Sequence, residues 1–384
     1  MPISLTHLKY CAVLILLASL QACSPSYNYK ENAVPEPIQL SPRLSQLFSK
    51  TKLVCFGRYA LEIPVEAQLI WGRTSFPSDV EVFAGGLNED KERIEDDIEK
   101  LKEDDKTLDI RYNRAGPIEN SWQIRYYPGK NAKSEGLYFF NTYINKGQLT
   151  FILGGAIEEN ETEEIAASRE AMRAKSLRLR TPDEVPTEPG YCIEHGFMTG
   201  TSYKDQEMIS AGITFPSLPD VSFSVSSNKN AYSDYTPDEF EKIQRPKLSL
   251  LARIKEAQDD QGIHYPSRTV LREGKRDVQH WHGEESLIRR KDGTHDFEWA
   301  LVGTPRDVAN PSEFSAQMFT KVKHNTVGAA KSSSLSDDEA VALWDKLLSG
   351  LKFRVRVPNA PEGSYFLPQG RIDTNNVDNE QDRR

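Results

Sequence analysis

The sequence predicts an α+β fold made of two similar domains, each an antiparallel sheet with two helices packed on one face of it. At 384 residues, the chain is longer than a single hydrophobic core normally serves. The same order of strand and helix patterns occurs twice along it. Each of the two repeats ends in a short basic segment, LRLR at 177–180 and FRVR at 353–356. We therefore predict an internal duplication, with an N-terminal domain over 51–180 and a C-terminal domain over 191–360.

The N-terminal domain opens with LVCFGRYALEIP at 53–64, a strand-forming segment that is broken at Gly57 and ends at Pro64. Further strand patterns in this domain lie at 68–73, 79–83, 122–127, 137–144 and 148–153. The last two are joined by Asn-Lys-Gly, a turn in which glycine readily adopts a positive φ. These segments predict the antiparallel sheet of the domain.

Two helices are predicted beside this sheet. In the first, Ile94, Ile98 and Leu101 recur at helical spacing among charged residues, so they form the buried stripe. In the second, which ends near 176, Ile165 and Met172 are predicted to face inward.

The predicted C-terminal domain repeats this order. The sequence TPDE at 236–239 forms a capping box, and its helix is interrupted or kinked at Pro246. Strand patterns lie at 208–215, 221–226, 268–272, 278–281, 285–289, 297–302 and 314–322. A last helix, capped by 336–339, has a buried stripe formed by Val341, Trp344, Leu347, Leu348 and Leu351. The segment 353–356 is the closing strand and matches 177–180.

The first 22 residues have the pattern of a secretory signal peptide. Lys9 precedes an apolar run from Cys11 to Leu20, which is too short to span a bilayer. The run leads into LQAC at 20–23, which resembles the lipobox of bacterial lipoproteins. The resemblance implies that the sulfur of Cys23 carries lipid. An ordinary cleavage site followed by an incidental cysteine is the alternative.

Three segments are predicted to lie outside the domains. Residues 23–50 form a flexible tether, because they are polar and rich in proline at the start. Residues 181–190 form a linker rich in Pro and Glu, and 361–384 form a tail that is disordered toward its end. By the resemblance to lipoproteins, Ser24 after the cysteine indicates the outer membrane, on its periplasmic side.

The charge of the chain disfavours some partners. It has 48 Lys and Arg against 57 Asp and Glu, and loss of the signal peptide removes Lys9, which leaves 47 − 57 = −10. A net negative chain is a poor ligand for nucleic acid or for a broad anionic membrane face. The same charge would assist the capture of a basic partner.

Two of the four cysteines remain for the folded protein, because Cys11 leaves with the signal peptide and Cys23 would carry lipid. An oxidising compartment permits a disulfide between Cys55 and Cys192. Such a bond would tie the start of the first domain to the start of the second. Two buried thiols are an equally good interpretation.

The sequence shows no compact catalytic motif. It has no G-x-S-x-G hydrolase elbow and no phosphate loop ending in Gly-Lys-Ser/Thr. Both Cys55 and Cys192 lie in partly apolar, strand-like contexts, unlike those of activated cysteine nucleophiles. We therefore predict no enzymatic activity, no cofactor and no small-molecule substrate.

The best candidate for a metal site is HWHGEE at 280–285. On a strand, His280 and His282 would share a face, and a nearby carboxylate could supply a third ligand. The plainer interpretation, which we prefer, is two polar residues on a solvated strand face beside an inward Trp281. We therefore predict no bound metal.

The motifs together resemble a known family. The lipobox, LVCFGRYALEIP at 53–64, PGYCIEHGFM at 189–198 and the closing LKFRVRVP at 351–358 are similar to type VI secretion immunity proteins. The similarity is to the two-domain family that neutralises the fourth family of type VI lipase effectors, and it extends over about 50–360.

This resemblance implies a periplasmic protein without catalytic activity. It implies that the two domains clasp a cognate phospholipase effector, prevent its lid from opening and so protect the producing cell. The residues that contact the effector cannot be carried over, because the shared motifs look structural. Two alternatives stay open: a general outer-membrane lipoprotein that scaffolds or assembles envelope components, and a metal-dependent envelope enzyme that uses His280 and His282.

Overall fold

The structure, a computed structural model, describes residues 39–157, 161–320 and 333–367. The predicted signal peptide, Cys23, most of the tether and the end of the tail lie outside these residues. Among the residues described, no helix is both long enough and apolar enough to cross a membrane.

The first half of the chain contains four helices and nine strands among its described residues. The helices are α1 Pro42–Leu47, α2 Leu87–Asp104, α3 Lys130–Ser134 and α4 Glu163–Ser176. The strands are β1 Thr51–Phe56, β2 Tyr59–Pro64, β3 Gln68–Ser75, β4 Val80–Ala84, β5 Asp109–Ala115, β6 Ser121–Tyr127, β7 Phe139–Asn145, β8 Leu149–Ala156 and β9 Leu177–Leu179.

The second half continues with strands and helices in a similar order. Its strands are β10 Gly190–Ile193, β11 Gly196–Thr199, β12 Met208–Phe215, β13 Leu218–Asn228, β14 Arg268–Val278, β15 Trp281–Arg290, β16 His295–Val302, β17 Glu313–Phe319, β18 Leu351–Val355 and β19 Tyr365–Leu367. Its helices are α5 Pro237–Glu239, α6 Arg245–Leu248, α7 Leu250–Gln261 and α8 Asp337–Ser349, with a π-helical turn Phe240–Gln244 and a 3₁₀ turn Gly262–His264.

The two large sheets repeat one strand order. The first sheet has the order β4-β8-β7-β6-β5, and the second contains β13-β17-β16-β15-β14 in the corresponding places. The second sheet continues from β13 through β12 to β3, a strand of the first half. Neighbouring strands in both sheets are antiparallel. The prediction of two α+β domains with antiparallel sheets is confirmed, and the repeated order supports a duplication.

The helices of the N-terminal domain lie on opposite faces of its sheet. Helix α2 packs Ile94 and Ile98 against Tyr143 of β7, as the sequence predicted for its buried stripe. Helix α4 packs Ala166 against Phe140 of the same strand. Residues 140 and 143 are an odd number of positions apart, so their side chains point to opposite faces.

The C-terminal domain has the same arrangement. The backbone N–H of Leu251 in α7 donates to Glu284 of β15 (2.8 Å), whereas the indole N–H of Trp344 in α8 donates to Glu285 (3.3 Å). Adjacent residues of one strand face opposite sides of a sheet. The prediction that both helices lie on one face is therefore wrong in both domains. Because both domains place their helices on opposite faces of the sheet, they resemble each other more closely than the sequence indicated.

Helix α4 places charged side chains inside the fold and apolar ones outside. Ile165 and Met172 were predicted to face inward, but they are 57% and 63% exposed, so this prediction is wrong. The buried positions include Glu170 and Arg173. Gly155 of β8 makes room for them, since a Cβ there would lie 2.7 Å from the Glu170 carboxylate. Hydrophobic periodicity misleads here because Arg173, with Glu170 beside it, attaches the helix to the sheet by hydrogen bonds to backbone oxygens.

Arg173 is the centre of these polar contacts. Its guanidinium lies 3.5 Å from the Glu170 carboxylate and donates to the backbone oxygens of Ser78 (3.0 Å) and Gly154. Burial lowers the pKa of Arg173 and raises the pKa of Glu170, against the mutual attraction of the two charges. The contacts attach α4 both to β8 and to the connection between β3 and β4.

The last strand of each domain pairs with a hairpin that begins a domain. Strand β9 pairs with β11 of the β10–β11 hairpin, and β18 pairs with β2 of the β1–β2 hairpin. The end of the C-terminal domain therefore completes the sheet in which the N-terminal domain begins. Together with the pairing of β3 with β12, this exchange interlocks the two domains.

Backbone hydrogen bonds give the register of the two closing strands. The N–H of Arg180 donates to the oxygen of His195 (2.9 Å), and the N–H of Arg354 donates to the oxygen of Arg58 (2.8 Å). His195 and Arg58 each occupy the second position of a two-residue hairpin turn. The counterpart of Arg180 is thus Arg354. The sequence match, which aligned Arg180 with Arg356, is wrong by two residues.

The helical segment at 236–248 begins as predicted and breaks later than predicted. Thr236 and Glu239 form the capping box, with Pro at the first helical position. Pro246 lies inside α6, directly after the π-helical turn. The break falls at Ser249, whose extended backbone (ψ 150°) and side chain cap the start of α7.

The last helix, α8, has the buried stripe that the sequence predicts. Val341, Trp344, Leu347 and Leu348 are buried, and Ser336 and Glu339 form the capping box. Leu351, the fifth residue predicted for this stripe, is also buried, but it begins β18 because the helix ends at Ser349. Glu339 also accepts a hydrogen bond from Nε of Arg43 in α1 (2.8 Å). The hydrogen bonding of Arg43 is the main cause that lowers the pKa of Glu339 to about 2. This contact attaches α1 to the C-terminal domain, and Leu44 of α1 is buried. The prediction that the flexible tether extends to residue 50 is therefore wrong over 42–47, which fold against the domain.

Candidate functional site

The Gly-Arg-Tyr sequence at 57–59 forms the turn of the β1–β2 hairpin and lies where the two domains meet. Gly57 has a φ of +54°, and a Cβ at this position would lie 3.1 Å from Ile209 and 3.2 Å from Tyr191. Both its conformation and its close contacts therefore require glycine. The ring of Tyr59 stacks on Phe314 with centroids 4.7 Å apart, which places the motif in the shared core.

Arg58 is buried and makes hydrogen bonds with three segments. Its Nε and Nη2 donate to the Glu207 carboxylate (3.0 and 2.8 Å). Its two terminal nitrogens also donate to the backbone oxygens of Gly190 (3.1 Å) and Ser202 (2.9 Å). Burial opposes the charge of Arg58, but the Glu207 carboxylate outweighs it and the pKa of Arg58 is raised. A buried cation that is hydrogen-bonded in this way has a structural role.

Lys229 adds a second buried cation to the same carboxylate. Its Nζ lies 3.5 Å from Glu207 and donates to the backbone oxygens of Tyr203 (2.6 Å) and Asp205. Burial lowers the pKa of Lys229, partly offset by Glu207. Glu207 therefore neutralises two cations, Arg58 and Lys229, in a buried environment.

Two further arginines hold the predicted linker at 181–190. Arg354 donates to the backbone oxygens of Gly190 (3.2 Å) and Pro186, and Arg180 donates to that of Glu184 (3.0 Å). Burial, together with the nearby charge of Arg58, lowers the pKa of Arg354 to about 10. The linker is thus bonded along its length to the closing strand of each domain. We call the set formed by Arg58, Arg180, Arg354, Glu207 and Lys229 the polar centre.

Cys55 and Cys192 lie beside the polar centre, on β1 and β10. The structure joins them in a disulfide with a Cα–Cα distance of 6.0 Å. Gly57 and Cys192 also exchange backbone hydrogen bonds of 2.8 and 2.9 Å. The bond links the two hairpins at equivalent positions of the repeat, because each cysteine lies two residues before the first turn residue of its hairpin.

His280 and His282 are not arranged as the metal hypothesis requires. His280 lies in the turn before β15, and its Nε2 is 2.9 Å from the oxygen of Ala309. His282 lies on β15, with Nδ1 2.9 Å from Asp277. The expectation that both share a strand face is therefore wrong, although Trp281 between them is buried as predicted. Within the described parts of the chain, no group of three His, Cys, Asp or Glu side chains is placed to hold a metal ion.

The structure brings together a serine, a histidine and an aspartate that sequence analysis missed. His295 Nε2 lies 2.9 Å from Asp337, and its Nδ1 lies 3.2 Å from the Ser333 hydroxyl. That hydroxyl donates to the backbone oxygen of Leu335 (2.9 Å), so its proton is not directed at the imidazole as in a serine nucleophile. The group attaches the start of α8 to β16. No local pattern reveals it, because the residues are far apart in sequence.

A groove of about 330 Å³ separates β3 from β4. Its walls are 71–74 of β3 and 79–83, which are Asp79 and the first four residues of β4. Ile193 and Glu194 at the tip of the β10–β11 hairpin complete it. The two strands meet at one end only, where Ser75 and Asp79 form a bridge. The groove is therefore open along most of both strand edges.

A second groove, of about 410 Å³, lies between α2 and the N-terminal sheet. Its lining includes apolar side chains, four carboxylates and one lysine, namely Leu101, Phe139, Ile152, Asp79, Glu81, Asp97, Asp104 and Lys100. Lys100 lies 3.8 Å from Asp97, so the carboxylates outnumber the lysine by three. Asp79 and Glu81 line both grooves. This acidic surface is the kind that attracts a basic partner.

Fold and site together define a two-domain α+β binding protein, with interlocked domains, a buried polar centre and acidic grooves at the surface. Sequence models of two domains match the chain: the Tle cognate immunity protein 4 N-terminal domain over 52–183 and its C-terminal domain over 184–356. The chain belongs to the Tle cognate immunity protein 4 family. The family that the sequence motifs indicated is confirmed.

Solved structures share the fold. The immunity protein TplEi of the type VI secretion system from Pseudomonas aeruginosa, in complex with a peptide named L, is 22% identical, with a TM-score of 0.59 over 80% of this chain and 99% of that one. The Tle4–Tli4 complex contains a chain that is 21% identical, with a TM-score of 0.58 over 79% of this chain and 97% of that one. No curated protein sequence matches the chain.

Proposed function

We propose that this protein binds a cognate type VI secretion phospholipase effector in the periplasm, holds it inactive and so protects the producing cell. The observation that carries the proposal is family membership across both domains, from 52 to 356. The solved Tle4–Tli4 complex supports the same kind of partner. The action is stoichiometric binding, without catalysis by this chain.

The interlocked fold suits this action. The exchanged closing strands, the polar centre and the bonded linker fix the two domains relative to each other. A preorganised surface loses little conformational entropy on binding, so more of the contact energy appears as affinity. Stable protein–protein interfaces usually bury about 1,200–2,000 Å², and we propose that an interface of this size holds the effector lid closed. We propose that the clasp works in this way.

Protection in living cells tests this function. Cells that express the effector in the periplasm are expected to die without this protein and to survive with it, because the bound lipase cannot reach its substrate. Colony counts with the active effector and with a catalytically inactive one measure the effect. A chain that lacks residues 1–22 is the matched control and should not protect, since it stays in the cytoplasm. Absence of both protection and a co-purified complex would reject the proposal and favour a scaffolding lipoprotein.

We further propose that lipid on Cys23 anchors the protein to the outer membrane. Cys23→Ser removes the thiol that would be acylated, so the protein is expected to move from the membrane fraction to the soluble periplasmic fraction. Cys11→Ser, within the predicted signal peptide, is the matched control and should leave fractionation unchanged. Membrane association that survives Cys23→Ser would contradict the anchor without affecting the proposed binding.

A further inference from the structure

The internal repeat reveals a break in what would otherwise be one sheet. Placed end to end, the two large sheets have the order β5-β6-β7-β8-β4, then β3-β12-β13-β17-β16-β15-β14. Equivalent strands of the two repeats then lie at equal distances on either side of the β3–β12 pair. The hairpin β12–β13 of the C-terminal domain is paired at eight positions. Its counterpart β3–β4 has a single bridge, between Ser75 and Asp79. Among the described residues, no other strand pairs with the facing edges of β3 and β4.

Two hydrogen bonds show which backbone groups of β4 point into the break. The N–H of Gly154 donates to the oxygen of Asp79 (3.0 Å), and the N–H of Gly85 donates to that of Gln148 (2.9 Å). The pairing between β4 and β8 has no register shift, so the odd-numbered residues of β4 form the hydrogen bonds to β8. Val82, which is even-numbered and lies beyond the bridge, therefore directs its N–H and C=O into the groove.

The side chains around the groove favour a basic occupant. Three carboxylates line it, those of Asp79, Glu81 and Glu194. One guanidinium, that of Arg73, also lines it and lies 3.4 Å from Asp79 in an exposed pair. A second copy of this chain would present the same carboxylates edge to edge, and like charges repel. Free backbone groups beside an acidic rim fit an extended segment that carries lysine or arginine.

We propose that an extended, basic segment of the effector enters the groove between β3 and β4 and adds to the free edge of β4 as a strand. This inference rests on the proposed function and names how part of the effector is held. Backbone hydrogen bonds to β4 supply affinity, and the three carboxylates select the basic side chains. The added strand fills the break that the C-terminal domain does not have.

Amide hydrogen exchange of the wild-type protein tests the inference directly. The probe is the purified cognate effector, inactivated at its catalytic residue. The amide of Val82 is expected to exchange fast in the free protein and roughly tenfold or more slowly in the complex. The amides of Glu81 and Phe83, which bond to β8, should be slow in both states. Fast exchange of Val82 in the complex would overturn the inference. Slow exchange in the free protein would also overturn it, since the chain itself would then fill the groove.

A proline substitution provides the second test. Val82→Pro removes the N–H that points into the groove but no bond to β8, and proline is tolerated on strand edges. Affinity for the effector, measured by calorimetry, is expected to fall roughly tenfold or more. The matched control is Ala115→Pro on the far edge of the same sheet. Its N–H also points outward, because the next residue, Gly116, donates to Ser121 (2.9 Å).

The outcomes separate this inference from the proposed function. Unchanged affinity of Val82→Pro, or an equal loss in Ala115→Pro, would overturn the strand addition while the effector still binds. If the wild-type protein forms no complex with the effector, the proposed function fails, and the strand addition fails with it. A folded Val82→Pro protein with weakened binding, together with protection of the Val82 amide, supports both.

Discussion

Glu207→Gln is expected to destabilise the protein by about 3–5 kcal/mol. The substitution keeps the shape of the side chain but removes the negative charge that Arg58 and Lys229 share. Both cations are then left buried without a carboxylate, and removal of one partner of a buried ion pair is strongly destabilising. The Arg58 side chain is 3% exposed and that of Lys229 is 2% exposed, so water cannot replace the lost partner.

Urea denaturation monitored by tryptophan fluorescence measures this loss. Glu194→Gln is the matched control, because the Glu194 side chain is 43% exposed and its change should stay within about 0.5 kcal/mol. Lys229→Met should cost less than Glu207→Gln, since it leaves the Arg58–Glu207 pair intact. A change below about 1 kcal/mol for Glu207→Gln would show that the polar centre does not hold the domains together.

The sequence predicts best those elements whose stability is local. Ile94 and Ile98 of α2 and four of the five residues predicted for the α8 stripe are buried as helical periodicity requires, and the capping boxes begin α5 and α8 as predicted. In α8, the apolar face and the hydrogen-bond pattern at the start of the helix agree with each other. Helix α4 breaks the rule because the absence of a side chain at Gly155, in another element, creates room for a charged side chain.

Pairings between distant segments could not be predicted from the sequence. Arg58 lies in the segment 53–64 that resembles the family, but its carboxylate partner, Glu207, lies 149 residues away. Nothing in the local pattern of β3 indicates that it continues the sheet of the other domain, and nothing in β18 indicates that it pairs with β2. The groove beside β4 could not be predicted either, because it exists where the β12–β13 pairing of one repeat has no full counterpart between β3 and β4 of the other.

These distant pairings converge on the two hairpins at the domain starts. The β1–β2 hairpin receives β18, contains Arg58 and Cys55, and contacts Cys192 through Gly57. The β10–β11 hairpin receives β9 and borders the groove through Glu194. The β10–β11 hairpin therefore contacts the polar centre through Gly190 and the groove through Glu194. Because one hairpin takes part in both, a change in the polar centre is expected to weaken effector binding as well as stability.

Removal of the Cys55–Cys192 bond is expected to lower the free energy of unfolding by about 4–5 kcal/mol. The bond closes a loop with a sequence separation of 137, and a closed loop of this length strongly restricts the unfolded chain. In the folded state, the β9–β11 and β18–β2 pairings already hold the hairpins in place, so little native structure depends on the bond. The double variant Cys55→Ser, Cys192→Ser should therefore fold and bind the effector with normal affinity, but unfold at lower urea concentration.

Reduction of the wild-type protein provides the matched comparison. Dithiothreitol should lower the urea midpoint of the wild type toward that of the double variant and should leave the variant unchanged. A wild-type midpoint that is insensitive to reductant would support two buried thiols instead of a disulfide. Both cysteines are fully buried, so any loss of effector affinity in the folded variant cannot come from a lost contact. Such a loss would show that the bond sets the geometry of the two hairpins, and with it the width of the groove beside β4.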